Sequence, residues 1–216
     1  MDLESRALWM QSICKRVLSA MGIPVRVTGR PPDRGLLVSN HLSYLDILAY
    51  GAVLPCFFVS KAEIARWPFF GALARAGGTI FLNRARRAST EQVAATISQR
   101  LPLRVPILFF PEGTSSDGAH VMAFHPRFFE PAVVASAPVT AAAVRYIPQG
   151  GSQERELCWY GDAAFLPHLW RTLCSPKFNI EVSFGQPKIY PNRRIASSTA
   201  HAEIAAMRKA AAHLPQ

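Results

Sequence analysis

Short apolar runs alternate with longer amphipathic stretches along all 216 residues of the chain. The short runs are rich in branched and aromatic side chains, which is typical of buried strands, and the longer stretches repeat their apolar residues at a helical period. Strands are predicted at 25–28, 36–39, 55–60, 79–82, 105–110, 139–146 and 178–184. Helices are predicted at 3–21, around 47–50, and at 68–76, 89–100, 127–135, 166–173 and 200–212.

This alternation predicts an α/β fold in a single domain, with a mixed, mostly parallel sheet that is flanked by helices. Residues 25–216 form that domain in the prediction, and residues 1–24 precede it as an N-terminal amphipathic helix. A basic amphipathic helix is compatible with a membrane interface and equally with packing on the domain. Trp9 inclines the interpretation toward the membrane, because indole rings favour the interface.

The chain carries 24 Lys and Arg against 14 Asp and Glu, which gives a formal net charge of +10. Such an excess indicates an anionic partner: nucleic acid, an acidic membrane surface or a phosphorylated substrate. The four cysteines are far apart without metal-binding spacing, so free thiols are expected and no metal site. Neither a secretory leader nor an uncharged run of membrane-spanning length is recognisable.

One polar cluster joins the predicted strand 36–39 to the helix that follows it, a position where open α/β sheets bind ligands. Residues five apart do not share a helix face, so His41 and Asp46 can meet only if His41 precedes the helix and Asp46 lies in its first turn. Ser43 as the N-cap would give that arrangement, with Asp46 as the third helical residue. Asp46 would then hold the imidazole with Nδ1 protonated and Nε2 free as a base. Ser-x-x-Asp is equally a capping box that requires no chemistry.

Polar clusters also follow two later strands. Asn83 and Arg84 end one of them, and an arginine there can bind phosphate through its guanidinium fork. Glu112, Gly113 and Thr114 follow the other, where glycine and hydroxyl residues can present N–H groups to an anion or oxyanion. The plain alternatives are a solvated basic loop for the first and a β-turn for the second.

Taken in order, these clusters resemble the motifs of the glycerolipid acyltransferase family, which is typified by bacterial 1-acylglycerol-3-phosphate acyltransferases. The pattern Asn40-His41-x4-Asp46 resembles the family's catalytic motif. Residues 78–84, 110–114 and 137–139 resemble its second, third and fourth blocks, so that the resemblance extends over about 36–146. Ser115 departs from the pattern, because the family carries an arginine there that is expected near the acceptor's phosphate. The ending Ser-Ser-Asp-Gly also resembles members that acylate lyso-ornithine lipid.

The resemblance implies direct transfer of a fatty acyl group from an acyl thioester to the free hydroxyl of a lysophospholipid. The first choice of acceptor is 1-acyl-sn-glycerol-3-phosphate, which gives phosphatidic acid, and the alternative is another lyso-lipid such as lyso-ornithine lipid. Acyl-CoA or acyl carrier protein supplies the acyl group as a substrate, with no bound cofactor. The implied catalytic residues are His41 and Asp46, and the implied substrate-binding residues are Asn83, Arg84, Glu112, Gly113 and Thr114.

A lyso-lipid acceptor also implies a membrane surface as a partner. The expected location is the cytoplasmic face of the cell membrane, peripheral or interfacial, without a transmembrane span. Two remoter alternatives remain. A thioester hydrolase with the same site would need a nucleophile, and the sequence has no Gly-x-Ser-x-Gly elbow. A nucleic-acid-binding module would explain the basic charge, but no helix-turn-helix, zinc or RNA-recognition signature supports it, and no nucleic-acid partner is expected.

Overall fold

The computed structural model describes residues 1–83, 87–175 and 177–211, with the backbone alone at 87–90 and 211. The strands are β1 Val25–Thr28, β2 Leu36–Ser39, β3 Phe57–Lys61, β4 Ile80–Leu82, β5 Ile107–Phe109, β6 Val139–Pro148 and β7 Phe178–Phe184. The α-helices are α1 Leu3–Ala20, α2 Leu45–Val53, α3 Phe70–Ala76, α4 Arg87–Arg100, α5 Glu130–Val134, α6 Glu154–Leu157, α7 Phe165–Cys174 and α8 Arg193–Ala211. Two 3-10 turns are Ala62–Arg66 and Pro126–Phe129.

The strands form one seven-stranded sheet in the order β1-β7-β6-β2-β5-β3-β4. Neighbouring strands are parallel, except that β6 and β7 are antiparallel. Strands β6, β2, β5, β3 and β4 therefore share one direction, and their carboxyl ends lie along the same edge of the sheet. The predicted mixed, mostly parallel sheet is confirmed.

Two apolar layers cover the faces of the sheet. One layer contains α4, α5 and α8, and the other contains α1 and α2. Strand β2 lies in the middle of the sheet and all four of its residues are buried, as expected for a parallel strand with helices on both sides. The junction that follows β2 is thus attached to the buried centre of the sheet.

Helix α1 packs on the domain through its apolar stripe. The buried residues of α1 are Ala7, Met10, Cys14 and Leu18, and the helix runs against α2. Packing on the domain was one of the two interpretations of this segment, and a membrane role for residues 1–24 stays a prediction. Within the part of the chain that the structure describes, no helix has both the length and the apolar character needed to cross a membrane.

Several segments differ locally from the predicted elements, and α8 begins at Arg193, seven residues before the predicted helix 200–212. The helix predicted at 127–135 begins as the 3-10 turn Pro126–Phe129 and becomes α-helical only from Glu130, next to a proline in the first turn of α5. Between the predicted strand 139–146 and the predicted helix 166–173, the short helix α6 forms where Gln153 and Glu156 build a capping box. None of these changes moves a strand.

Candidate active site

His41 and Asp46 meet at the junction between β2 and α2. The imidazole Nδ1 lies 2.8 Å from Oδ2 of Asp46. The Asp46 side chain is fully buried, whereas the His41 side chain is 20% exposed. Among the described residues, none forms a hydrogen bond with Nε2 of His41. With Nδ1 donating to the carboxylate, Nε2 carries the lone pair that a base requires.

The Asp46 carboxylate also organises the turn that leads into α2. Oδ2 accepts hydrogen bonds from the backbone N–H of Leu42 at 2.7 Å and of Ser43 at 3.2 Å. Oδ1 accepts a hydrogen bond from the hydroxyl of Tyr146. These donors compensate the burial of the charge, since ionised groups are buried only when they are well hydrogen-bonded. The bonds that start the helix therefore also aim the carboxylate at His41.

The prediction that Ser43 is the N-cap of this helix is wrong by one residue. Tyr44 occupies that position and makes no side-chain capping bond, so Asp46 is the second helical residue. The backbone N–H groups of Asp46 and Ile47 donate to the carbonyls of Ser43 and Tyr44, respectively, both at 3.2 Å. These bonds span three residues, so the helix begins with a tight turn of the 3-10 type. The Ser43 hydroxyl still accepts from the N–H of Leu45 at 3.0 Å.

Asn40 continues the pairing of β2 with β6 beyond the end of β2. Its side-chain amide donates to the carbonyl of Val144 at 3.1 Å, and the N–H of Val144 donates back to Oδ1 of Asn40 at 2.9 Å. The carboxamide thus replaces a backbone peptide unit, which asparagine can do because it has both a donor and an acceptor. This pair of bonds fixes where His41 leaves the sheet.

The loop after β5 lies directly against His41. The Phe110 ring stacks on the imidazole with centroids 4.1 Å apart and planes inclined by 15°. The backbone N–H of Ser116 donates to the carbonyl of His41 at 2.9 Å. Gly113 closes the turn between them, because its φ of +79° suits glycine and its N–H donates to the carbonyl of Phe110 at 3.0 Å. The structure therefore brings the first and third polar clusters together.

Glu112 is a buried carboxyl group within this loop. It is 5% exposed, and neither side-chain oxygen forms a hydrogen bond of good geometry within the described residues, although the backbone N–H groups of His41 and Met122 lie near enough to favour its ionised form. Burial raises the pKa of Glu112 to about 8, and the nearby charge of Asp46 acts in the same direction. The next residue but one, Thr114, is exposed. The carboxyl group of Glu112 is therefore mainly protonated at neutral pH.

Replacing Glu112 by glutamine is expected to make the protein more stable at pH 8 and to change little at pH 5. Between its ordinary value of 4.5 and about 8, the folded protein keeps a proton on Glu112 that the unfolded chain releases. The free energy of unfolding of the wild type therefore falls as pH rises through this window, by up to about 4 kcal/mol between pH 5 and 8. The glutamine variant has no such proton to lose, so its free energy of unfolding does not show this fall. Urea unfolding at several pH values measures it, with Glu63→Gln on the surface as the control. Parallel stability curves for Glu112→Gln and wild type would contradict the burial argument.

The second polar cluster lies farther along the same edge of the sheet. Asn83 follows β4, and β4 is three strands away from β2 in the sheet order. Three strand spacings amount to about 14 Å, so Asn83 does not lie beside His41. Arg84 lies outside the described residues. Asn83 and His41 thus share one edge of the sheet without being neighbours.

Arg208, which the sequence analysis did not single out, joins three segments behind the site. Its guanidinium donates to the carbonyls of Val144 and Gly118, both at 2.6 Å, and pairs with Glu154 at 2.8 Å. Residue 208 follows the buried Ile204 by one helical repeat of α8. The signal for Arg208 in the sequence was therefore its position on the apolar side of α8. Burying a charged side chain costs free energy unless the charge is paired.

The described hydroxyl groups close to the imidazole are bonded to other groups. The Ser43 hydroxyl lies 3.0 Å from that of Tyr146, and the Ser115 hydroxyl donates to the carbonyl of Trp159. The Ser116 hydroxyl donates to the backbone carbonyl of His41 at 3.3 Å, and no described hydroxyl is hydrogen-bonded to the imidazole itself. Nor do the described His, Cys, Asp and Glu residues form a cluster suited to a metal ion. The site thus offers an oriented base without a protein nucleophile bonded to it.

Comparison with known proteins gives a consistent result. The model of the family described as Acyltransferase matches residues 24–145. A 1-acyl-sn-glycerol-3-phosphate acyltransferase from Neisseria meningitidis serogroup B is 35% identical over 185 residues, covering 84% of this chain and 72% of that protein. A lyso-ornithine lipid O-acyltransferase from Rhodobacter capsulatus is 34% identical over 204 residues, covering 89% and 72%.

The fold also has a solved counterpart. The crystal structure of the 1-acyl-sn-glycerophosphate acyltransferase from Thermotoga maritima superposes with a TM-score of 0.74 at 20% sequence identity. The match covers 97% of this chain and 81% of the other. This likeness supports the architecture, including the mostly parallel sheet with helices on both faces.

An α/β fold with a buried carboxylate behind a partly exposed histidine, at the carboxyl edge of its sheet, defines the chain as an enzyme. The family model matches more than half of the chain, and relatives above 30% identity are covered over more than two thirds of their length. The chain therefore belongs to the acyltransferase family. The predicted O-acyltransferase activity of the 1-acylglycerol-3-phosphate acyltransferase type is confirmed by these findings.

Proposed function

We propose that the protein transfers a fatty acyl group from an acyl thioester to the free hydroxyl of 1-acyl-sn-glycerol-3-phosphate, giving phosphatidic acid. The observation that carries the proposal is the contact of His41 Nδ1 with Asp46 Oδ2, at 2.8 Å, in a chain that belongs to the acyltransferase family. The relatives named as 1-acyl-sn-glycerol-3-phosphate acyltransferases support this choice of acceptor.

In the proposed reaction, the acceptor's hydroxyl gives its proton to Nε2 of His41 as its oxygen attacks the thioester carbonyl. The new C–O bond forms, the C–S bond breaks, and the imidazolium returns the proton to the departing thiolate. Asp46 holds the imidazole in position and stabilises its positive charge during the transfer. General-base catalysis contributes about 10²–10⁴-fold, and the positioning of the two substrates contributes much of the rest.

The acceptor's polar head is assigned to the residues that follow β4 and β5. Glu112 and Gly113 belong to the loop that contacts His41, and Thr114 is exposed at the same turn. Asn83 lies farther along the edge, where the end of the acceptor remote from the reacting hydroxyl would reach. The phosphate-binding role of Arg84 stays a prediction from the sequence.

A second acceptor, lyso-ornithine lipid, is favoured by one observation. Ser115 stands where the family carries an arginine, and its hydroxyl donates to the backbone carbonyl of Trp159. Position 115 therefore offers no cation to a phosphate. Several relatives at 32–34% identity are named lyso-ornithine lipid O-acyltransferases, and their acceptor has a headgroup without phosphate.

An acceptor panel tests the function directly. Lysophosphatidic acid, other lysophospholipids and lyso-ornithine lipid are each supplied with one labelled acyl thioester, first as acyl-CoA and then as acyl carrier protein. The expected product is labelled phosphatidic acid. Transfer to lyso-ornithine lipid alone would reassign the acceptor, and equal thioester turnover without any acceptor would show a hydrolase instead.

Replacing Ser115 by arginine is expected to shift the preference toward lysophosphatidic acid. A guanidinium at this turn would form a charge-assisted bond to phosphate, which raises kcat/KM for lysophosphatidic acid over lyso-ornithine lipid by about tenfold. Competition assays with both acceptors measure the ratio, and Ser198→Arg on the exposed side of α8 controls for the added charge. An unchanged ratio would remove position 115 from the acceptor site.

The proposed location is the cytoplasmic face of the cell membrane, with the protein bound peripherally. The acceptor carries a long acyl chain, so it is available in a lipid surface. The net charge of +10 favours an anionic leaflet, because each basic residue near such a surface contributes about 1 kcal/mol.

A further inference from the structure

We propose that the protein docks on an anionic lipid bilayer through one surface, the α7 face, formed by Phe69, Phe70, Leu166, Trp170 and Leu173. The inference rests on the proposed function and specifies which part of the molecule meets the membrane. It assigns to α7 and the start of α3 a role that the sequence analysis had considered for α1.

The apolar stripe of α7 points outward. Leu166, Trp170 and Leu173 are spaced four and three residues apart, which puts them on one side of the helix. They are 72%, 71% and 53% exposed, whereas His168 and Thr172 on the other side are buried. A surface helix of a soluble domain has the opposite arrangement, with apolar residues toward the core. Exposed leucine and tryptophan side chains on one stripe instead match a helix that lies in a lipid interface.

A strained turn exposes a further aromatic ring beside α7. Phe69 has φ of 61° and ψ of −59°, and the N–H of Phe70 donates to the carbonyl of Pro68 at 2.6 Å. This is a γ-turn with positive φ, which is rare and strained for a residue with a side chain. Phe69 is 74% exposed, so its packing within the protein does not compensate the strain. Insertion of its ring into lipid would compensate it.

Phe165 connects the two exposed segments to the candidate active site. Its ring lies 5.5 Å from that of Phe70 and 5.1 Å from that of Tyr44, measured between centroids. The Tyr44 hydroxyl also lies 3.1 Å from Nδ1 of His168, on the buried side of α7. Tyr44 belongs to the turn that carries His41 and Asp46, so a chain of aromatic rings joins the α7 face to that turn. A docked protein would thus take a lyso-lipid from the bilayer without exposing its acyl chain to water.

The charges on these segments have the sign that an anionic leaflet requires. Residues 66–76 and 165–174 contain Arg66, Arg75 and Arg171 and no acidic residue. Arg66 and Arg171 are exposed next to the aromatic residues of the face. An apolar patch flanked by cations is the combination that holds peripheral proteins on anionic membranes. Helix α1, by contrast, buries its apolar stripe against the domain.

The test compares vesicle binding of matched variants. The triple variant Leu166→Asn/Trp170→Gln/Leu173→Asn removes the α7 stripe, and Val134→Asn/Ile189→Asn removes exposed apolar side chains elsewhere. Leu8→Asn serves as the α1 variant. Binding is measured by co-sedimentation with vesicles of phosphatidylcholine mixed with phosphatidylglycerol. We expect the triple variant to lose at least about tenfold in partitioning, and the other two variants to bind as the wild type does.

Acyl transfer to a short-chain, water-soluble lyso-lipid separates docking from catalysis. The triple variant is expected to keep the wild-type kcat in this assay, which also shows that it is folded. Equal vesicle binding by the triple variant and the wild type would overturn the inference while leaving the enzyme's function intact. A larger loss of vesicle binding in Leu8→Asn than in the triple variant would also overturn the inference. The same holds if the wild-type protein is a dimer and only the triple variant is a monomer, because the α7 face would then be a dimer interface. Vesicle binding through the α7 face without transfer to any acceptor would refute the proposed function instead.

Discussion

Replacing His41 by alanine is expected to lower kcat for acyl transfer by about 10³-fold and to leave the fold intact. In the proposed mechanism Nε2 of the imidazole takes the acceptor's proton, and the nearby Ser43 and Ser115 hydroxyls, which are bonded to other groups, do not replace that base. The fold should survive because Asp46 keeps its bonds to Leu42, Ser43 and Tyr146. Steady-state rates with saturating acceptor and thioester measure the loss, and urea unfolding measures the stability.

His120→Ala is the matched control for this variant. His120 is exposed in the loop that follows β5, so its loss removes an imidazole from the same region without touching the pair. We expect wild-type rates from it. Wild-type transfer by a well-folded His41→Ala protein would refute the general-base mechanism.

Replacing Asp46 by asparagine is expected to lower kcat by about 10²–10⁴-fold with little change in the KM of either substrate. The amide can keep its oxygen toward His41, Leu42 and Ser43 only if its NH₂ group faces Tyr146, whose hydroxyl now donates to Asp46. In that orientation the geometry persists, but the negative charge behind the imidazolium is lost. In the other orientation, an NH₂ group faces two backbone N–H groups and the protonated Nδ1.

Pre-steady-state kinetics of this variant locate the defect in the chemical step. Asp162→Asn, at an exposed position, controls for the change of charge. A variant that loses affinity for the acceptor but keeps kcat would show that Asp46 acts in binding, and would contradict its assignment as the group that orients His41.

The chemical character of the clusters around His41 and Glu112 could be predicted from the sequence, but their contact in space could not. The residue types of the His41 and Glu112 clusters identify a base and a polar turn from the sequence alone. That they touch follows from the sheet order, in which β5 lies beside β2 although β3 and β4 come between them in the chain. Strand order depends on how the crossover connections pack, and no local pattern encodes it.

Two side chains that complete the site were invisible for a different reason. Tyr146 lies within the apolar strand β6, and Arg208 lies in an alanine-rich helix, so the local sequence assigns each to an ordinary element. Their partners are 100 residues away for Tyr146 and Asp46, and 64 for Arg208 and Val144. Such contacts are products of the tertiary fold. The one-residue error at Ser43 is local instead, because the Asp46 carboxylate accepts from the N–H of Ser43 while the Ser43 hydroxyl accepts from the N–H of Leu45.

The carboxamide of Asn40 has a consequence for the thermodynamics of catalysis. By pairing with the backbone of Val144, it makes the first residues after β2 part of the sheet. The conformational entropy of this segment is therefore lost once, when the protein folds, and not again in each catalytic cycle. In the proposed mechanism His41 is already in position before the substrates bind, and the binding energy of the lipid remains available for bringing the two substrates together.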